Sequence, residues 1–414
     1  MNRLTTSWAD VELARFPEDP RDPLRAWDAA DDYLLRHLAE EHPAWLPPGR
    51  QDAADAPAGT GSAGTGSVGT GSAGTAPAGT VAVVGDRWGA LVTSLARLRP
   101  VQITDSYLTR EATRANLARN GVDAAGVQLL TTRDTPPGRV DVLLVRVPKS
   151  LALLEDQLHR IAPAVHPGTV VVGTGMVKEI HTSTLQLFER IIGPTRTSLA
   201  VRKARLVLAT PDPDLPRTPS PWPHRYALPA DAPGAVAGRT VVNHAGIFCA
   251  DRLDIGTRFF LRHLPTGLAG SRVVDLGCGN GVVGLAASLA APDAELLLVD
   301  ESYQAVASAE ETFRTSAAPG TTAEFLVGDG LDGVPAGSVD VVLNNPPFHS
   351  HQATTDRTAR RMFTGARRAL RRGGELWVIG NRHLGYHVTL RRIFGNCDVV
   401  ASDPKFVVLR ATKR

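Results

Sequence analysis

The sequence predicts an α/β protein of two tandem domains, each built on a mainly parallel sheet. Three observations carry this. The chain has 414 residues, and single hydrophobic cores stop growing beyond ~250–300 residues. Runs rich in Val, Leu and Ile alternate with helical patterns such as Val282 to Ala291 and Thr358 to Arg371, which is the signature of βαβ units. The chain also repeats itself. Val81-Ala-Val-Val-Gly-Asp-Arg-Trp-Gly-Ala resembles Arg272-Val-Val-Asp-Leu-Gly-Cys-Gly-Asn-Gly, and Ile103-Thr-Asp-Ser-Tyr107 resembles Leu298-Val-Asp-Glu-Ser-Tyr303. Val140-Asp-Val-Leu-Leu-Val-Arg-Val-Pro-Lys-Ser150 resembles Val339-Asp-Val-Val-Leu-Asn-Asn-Pro-Pro-Phe-His349. The three matches keep their order at separations of roughly 190–200 residues, a long-period repeat of whole domains.

Taken in order, the first domain spans 1–210 and is interrupted at 57–80, where Gly-Thr-Gly-Ser-Ala recurs with little change. Such a tract buries too little apolar surface to offset its ordering entropy and reads as a flexible loop. Residues 211–238 are dense in proline and read as the connection between domains. The second domain, 239–414, should end its sheet with Glu375-Leu-Trp-Val-Ile379 and Lys405-Phe-Val-Val-Leu409, whose separation by Gly385 to Asn396 suits an antiparallel return.

Composition narrows the class. Hydrophobic residues make up 43% and charged residues 21% of the chain, as in soluble globular proteins. The net charge of +3 permits an RNA partner without demanding one. Basic residues cluster at Arg357, Arg360, Arg361, Arg367, Arg368, Arg371 and Arg372, readable either as a solvated helix face or as an RNA contact. Cys249, Cys278 and Cys397 are too scattered for a disulfide framework or a zinc site, so a cytoplasmic protein without metal is expected. There is no signal-peptide core at the N-terminus and no apolar run of ~20 residues to span a bilayer. No obligate protein partner is evident.

The chemistry concentrates in the second half. Asp275-Leu-Gly-Cys-Gly-Asn-Gly281 closes a strand and opens a helix. Gly277, Gly279 and Gly281 permit φ > 0 and close approach of a ligand. A dinucleotide fingerprint would read Gly-x-Gly-x-x-Gly; the pattern here resembles instead the S-adenosylmethionine loop of class I methyltransferases. That resemblance implies that Asp275 sits near the methionine end of the cofactor. About 20 residues on, Asp300 ends a strand where a carboxylate can accept both ribose hydroxyls, with Glu301 as the competitor one position away. Asp329, between Gly328 and Gly330, stands where this family usually faces the adenine; a plain turn carboxylate is the other reading. Asp254 and Gly256 are candidates to close over the cofactor, or form a local turn.

Asn345-Pro346-Pro347-Phe348 follows the strand pattern Val339 to Asn344. The exocyclic amine of a nucleobase is a poor nucleophile because its lone pair is delocalised into the ring. Two acceptors on its N–H groups draw the lone pair out: the Asn345 side-chain oxygen and the Pro346 carbonyl. The prolines fix φ, and Phe348 offers a face on which a base stacks. No strong general base is needed, so catalysis rests on positioning and preorganised dipoles. His349 and His351 read as RNA contacts or surface residues.

These pieces, with Asn243-His-Ala-Gly-Ile-Phe248, Leu253-Asp-Ile-Gly256, Asn381-Arg-His-Leu384 and Ile393-Phe-Gly-Asn-Cys397, resemble the ribosomal RNA guanine-N2 methyltransferases of the RlmG/RsmC group. Val147-Pro-Lys-Ser-Leu-Ala-Leu-Leu-Glu155 and Ile180-His-Thr-Ser-Thr-Leu-Gln-Leu-Phe188 are similar to its large-subunit (23S rRNA) branch. The resemblance implies two class I methyltransferase (Rossmann-like) domains, the N-terminal one degenerate, with S-adenosyl-L-methionine as cofactor and ribosomal RNA as partner. The first half fits independently: Arg146-Val-Pro-Lys149 replaces the amide and the stacking ring, and Gly85-Asp-Arg-Trp-Gly89 lacks the alternating glycines. It is expected to dock RNA instead, with Lys149, Arg202, Lys203 and Arg205 as contacts. The same chemistry on 16S rRNA, adenine-N6 or protein-glutamine methylation, and a non-catalytic RNA-binding assembly factor are the alternative readings.

Overall fold

The computed structural model describes residues 2–19, 22–46, 79–347 and 352–414. The Gly-Thr-Ser tract expected to be flexible lies outside the described residues except for Gly79 and Thr80. The chain divides into two compact units, Met1–Ser220 and Pro221–Arg414.

The first unit opens with a hairpin, β1 (Arg3–Thr5) and β2 (Asp10–Glu12), and helix α1 (Ala29–Glu41). There follow β3 (Val81–Val84), α2 (Ala90–Ser94), β4 (Val101–Thr104), α3 (Tyr107–Arg119), β5 (Gln128–Thr131) and β6 (Val140–Arg146). Helix α4 (Leu151–Ile161), β7 (Val165–Met176), α5 (Thr182–Ile191), β8 (Thr195–Thr197) and β9 (Ala204–Ala209) complete it. Besides the hairpin, seven described strands form one sheet in the order β5-β4-β3-β6-β7-β9-β8. The first five are parallel to their neighbours, and β9 returns antiparallel against both β7 and β8.

The second unit contains β10 (His224–Ala227), β11 (Thr240–Asn243), α6 (Ile255–Leu261), β12 (Arg272–Leu276), α7 (Val282–Ala290), β13 (Glu295–Asp300) and α8 (Tyr303–Ser316). It continues with β14 (Thr322–Val327), β15 (Val339–Asn344), α9 (Gln352–Ala369), β16 (Leu370–Asn381), α10 (Tyr386–Phe394), β17 (Asp398–Ser402) and β18 (Phe406–Thr412). The order β14-β13-β12-β15-β16-β18-β17 is that of the first unit, strand for strand. The repeat read from the sequence is therefore a repeat of topology. The expected late strands lie in β16 and β18, antiparallel with Ile379 opposite Val408; between them stand α10 and the edge strand β17, for which no separate elements were expected.

Alternation along the central strands builds two apolar layers. Val273, Leu298, Leu343 and Ile379 face α7 and α8, whereas Val274, Val299, Val342 and Val378 face Phe363 of α9 and Leu390 and Phe394 of α10. The proline-rich stretch 211–238 is more than a connection. Its β10 pairs antiparallel with β11, and Leu228, Ala232 and Val236 are buried in the core of the second unit. The prolines masked these few apolar residues, whose spacing follows neither helix nor strand.

Candidate active site

In a parallel sheet, ligand-binding groups gather beyond the carboxyl ends of the strands, and the second unit follows this rule. The chain leaves β12 through Gly277, Gly279 and Gly281, at φ of 76°, 54° and 78°. The Gly277 and Cys278 N–H groups donate to the Val299 carbonyl at 2.8 and 3.0 Å, which fixes the loop against β13. Gly281 must also lack a side chain for packing: a Cβ there would lie 3.0 Å from both Cα and Cβ of Ala309 in α8. Asp275 is buried, and its Oδ2 accepts from the Gly284 N–H in the first turn of α7 at 2.8 Å. Burial pushes its pKa up to about 7; the Gly284 hydrogen bond opposes this and the charge of Asp300 adds to it.

Asp300, at the end of β13, is gripped by backbone amides. Its Oδ2 accepts from the Gly279 N–H and its Oδ1 from the Ser302 N–H, both at 3.0 Å. Burial raises its pKa, against the hydrogen bonds from Ser302, Gly279 and Glu301. The carboxylate is thus held beside the glycine loop. Asp329, just past β14, is half-buried and paired with Arg361 of α9. Burial raises its pKa and the Arg361 charge lowers it.

Asn345 follows β15, next to β12. A Cβ on Gly277 would lie 4.0 Å from both Asn344 Nδ2 and the Asn345 carbonyl oxygen, so the two motifs read from the sequence meet. Asn344 anchors the junction, donating from Nδ2 to the Leu276 carbonyl at 2.6 Å. The Asn345 amide is oriented by a relay. Its Nδ2 donates to Thr257 Oγ1 at 3.1 Å, and Thr257 donates from Oγ1 to Asp254 Oδ2 at 3.3 Å and from its backbone N–H at 2.8 Å. The other end of the amide, Oδ1, is buried and has no hydrogen-bond partner among the described residues. A buried acceptor without a partner costs about 1–3 kcal/mol, which a donor arriving at Oδ1 would recover. Pro346 is buried beside it. Phe348, His349 and His351 lie outside the described residues.

Asp254 therefore caps α6, whose third residue is Thr257. The expected local turn exists, and it serves Asn345. Thr257 went unassigned in the sequence because its partner lies 88 positions away. The signal available was its place in Leu253-Asp-Ile-Gly-Thr257.

The first unit shows what the same framework becomes without this chemistry. Val83 pairs with Leu144 as Asp275 pairs with Leu343, which sets Arg146 at the Asn345 position and Arg87 at that of Gly279. Arg146 is buried, with Nη2 2.7 Å from Asp28, and Nε and Nη1 each 3.3 Å from Asp31 and Glu179, respectively. Arg87 joins Asp28 at 3.3 Å and Glu179 at 2.8 Å. Asp28 caps α1 as Asp254 caps α6, so Asp31 stands where Thr257 does. An ion-pair network thus fills the space where the second unit presents an open acceptor. Thr104 replaces Asp300 and keeps only its local role, accepting from the Ser106 N–H at 3.1 Å. The capping carboxylate survives by moving: Asp86 accepts from the Val92 N–H at 2.9 Å, the amide equivalent to that of Gly284. Burial, then the charge of Asp31, lifts Asp86 to about 7 against the hydrogen bonds from Val92, Ala90 and Leu91.

Of the late arginines, Arg361 pairs with Asp329, Arg371 pairs with Asp340, and Arg368 donates to the Leu331 carbonyl. Arg361 and Arg368 tie α9 to the segment after β14, and Arg371, on β16, pairs across to β15; Arg360, Arg367 and Arg372 are exposed. Lys149, Arg202 and Lys203 are exposed in the first unit, and Arg205 is half-buried. Among the described residues no group of three His, Cys, Asp or Glu side chains is placed to hold a metal, and no helix is long and apolar enough to cross a membrane.

Comparison with known proteins agrees with this fold. The methyltransferase small domain family matches residues 238–410, and the RLMG N-terminal domain family matches 1–48 and 70–213. The chain is 70% identical over 414 residues to ribosomal RNA large subunit methyltransferase G of Streptomyces griseus, covering 100% of both chains. It is 46% identical over 416 residues to that of Pseudomonas aeruginosa, again covering 100% of both. The T. thermophilus 16S rRNA N2 methyltransferase RsmC, solved with AdoMet and guanosine, shares the fold across 100% of this chain and 97% of its own, with a TM-score of 0.69 and 20% identity. Fold and site define a methyltransferase of two Rossmann-like domains, the N-terminal one degenerate. The chain belongs to the ribosomal RNA large subunit methyltransferase G family.

Proposed function

We propose that the second unit methylates the N2 amine of a guanosine in 23S ribosomal RNA, using S-adenosylmethionine, in the cytoplasm. The observation that carries this reading is the Asn345 amide, whose Nδ2 is committed to Thr257 and whose Oδ1 is buried and unpartnered among the described residues. That oxygen and the Pro346 carbonyl can accept the two N–H bonds of a planar amine, turning its lone pair out of conjugation. S-adenosylmethionine supplies a sulfonium-activated methyl group. The residues present fit it: the glycine loop leaves room for close approach, and the amide-held carboxylate of Asp300 suits a ribose diol. Asp275 supports the start of α7, and Asp329 borders the site at the end of β14. Phe348 is assigned the stacking role from its place in the motif. Large-subunit RNA is favoured over 16S rRNA because relatives at 46–70% identity carry the large-subunit name, whereas RsmC shares 20%.

Asn345→Ala tests the reading. Single-turnover methyl transfer to 23S rRNA should fall ~10²–10³-fold, the scale for one preorganised polar contact in a transition state. RNA affinity and its salt dependence should persist. A full rate in the variant would exclude this mechanism. Mass mapping of rRNA from a deletion strain reads the target base, and a missing methyl on adenine or on 16S rRNA would replace the reading.

A further inference from the structure

The β8–β9 hairpin of the first unit closes through a two-residue turn. Val201 and Ala204 exchange backbone hydrogen bonds at 2.9 and 2.8 Å, and between them Arg202 and Lys203 take φ of 48° and 63°. Turns with both central residues at positive φ match the strand twist and are ordinarily made by Asn-Gly or Asp-Gly. Long side chains with a Cβ occupy them under strain. The equivalent hairpin of the second unit, β17–β18, avoids this. There Asp403 accepts from the Lys405 and Phe406 N–H groups at 2.7 and 2.6 Å, and Asp403, Pro404 and Lys405 all lie outside the left-handed region. The same topology can therefore close without strain, and the first unit does not.

What the strained turn displays is basic and apolar. Arg202 is 73% exposed as a side chain, Lys203 is exposed, and Leu199 is 87% exposed. Lys178 stands exposed alongside, because the Val177 N–H donates to the Lys203 carbonyl at 2.8 Å. The turn sits at the carboxyl end of β7, where Ala204 pairs with Met176. One of two nearby carboxylates pairs with the turn and offsets part of its charge. Asp32 lies 3.5 Å from Arg202, and Glu179 is drawn inward by Arg87 and Arg146.

We propose that this turn is an RNA-gripping projection: Arg202 and Lys203 hold backbone phosphates of the ribosomal RNA while Leu199 packs on an exposed base or sugar. The assignment rests on the reading of rRNA as substrate. A rigid turn launches both charges from adjacent residues in a fixed geometry, so little chain entropy is lost when phosphate binds. Strain retained at an exposed site where Asn-Gly would relieve it points to function.

Two double variants of the full chain test this, with protein-free 23S rRNA as the probe. Arg202→Asn/Lys203→Gly removes the charges and suits the turn. Its Tm should rise by about 2–8 °C, while RNA affinity falls about 10- to 100-fold and the log–log salt slope shrinks by about 1.4–1.8. Arg202→Gln/Lys203→Gln should lose the same affinity without the gain in Tm. Unchanged affinity and slope in both variants would overturn the proposal, as would the absence of a Tm gain in the first. Retained affinity for naked RNA with lost affinity for large-subunit particles would overturn it in favour of a protein contact. Wild-type protein that fails to methylate 23S rRNA refutes the substrate reading instead, so the two failures are distinguishable.

Discussion

At the scale of single residues, the site turns on which end of the Asn345 amide is occupied. Thr257 donates its hydroxyl proton to Asp254, so its lone pair is left to accept from Asn345 Nδ2. An amide flipped end for end would set oxygen against that lone pair. The duplicated half repeats the pairing in altered form, with Asp31 and Arg146 at the equivalent positions, 3.3 Å apart. Thr257→Val should therefore lower the single-turnover rate by about tenfold, the scale of one hydrogen bond to an orienting partner. The cofactor dissociation constant should stay put, and Thr257→Ser should restore the rate. A parallel loss of cofactor affinity would mean that Thr257 serves the cofactor. The acceptor motif and glycine loop were legible in the sequence because each is a short contiguous run directly after an apolar strand pattern. Thr257 and the relocated carboxylate of Asp86 were not, since their roles depend on register between distant strands.

At the scale of elements, β10 and α1 each hold a boundary. Because β10 pairs with β11 and Leu228, Ala232 and Val236 are buried, a fragment starting at Arg239 lacks part of its own core. Burying Leu and Val side chains contributes ~1.5–3 kcal/mol each. Fragment 239–414 should melt about 10 °C or more below fragment 221–414; equal melting temperatures would show that β10 is dispensable. Helix α1 is held over its sheet by acid–arginine contacts. Burial pushes Glu179 up, but the hydrogen bond and charge of Arg87, the Met176 N–H and the charge of Arg146 outweigh it and hold the carboxyl at about 2, below its usual 4.5. A depressed folded-state pKa gives stability that is complete above about pH 4.5 and is lost as pH falls through about 2. Glu179→Gln should thus be less stable than wild type near neutrality, with the gap narrowing between pH 4.5 and 2. A gap independent of pH would exclude the ionic role.

At the scale of the whole molecule, two copies of one topology have taken different fates, and binding stoichiometry should report it. Calorimetric titration of the full chain with S-adenosylmethionine should give one site, not two. The first unit has Thr104 in place of Asp300 and places Arg87 and Arg146 where the ligand groups would lie. Asp300→Ala should weaken that single site by about 1.5–3 kcal/mol, the range for hydrogen bonds to a charged group. Two sites in the wild type would show that the filled half still opens.

The network around Arg146 also bears on the history of the chain. Restoring asparagine at that position would leave Asp28, Asp31 and Glu179 facing Arg87 alone. Breaking a buried ion pair from one side costs about 3–5 kcal/mol, a large part of the margin by which a domain stays folded. Removing the acids first strands the arginine instead. Either first step toward an asparagine site, losing the arginine or losing the acids, leaves buried charge unpaired and weakens the fold, so the network works as a ratchet. Selection acting one substitution at a time can refine what that half does now more readily than it can build a second catalytic site there.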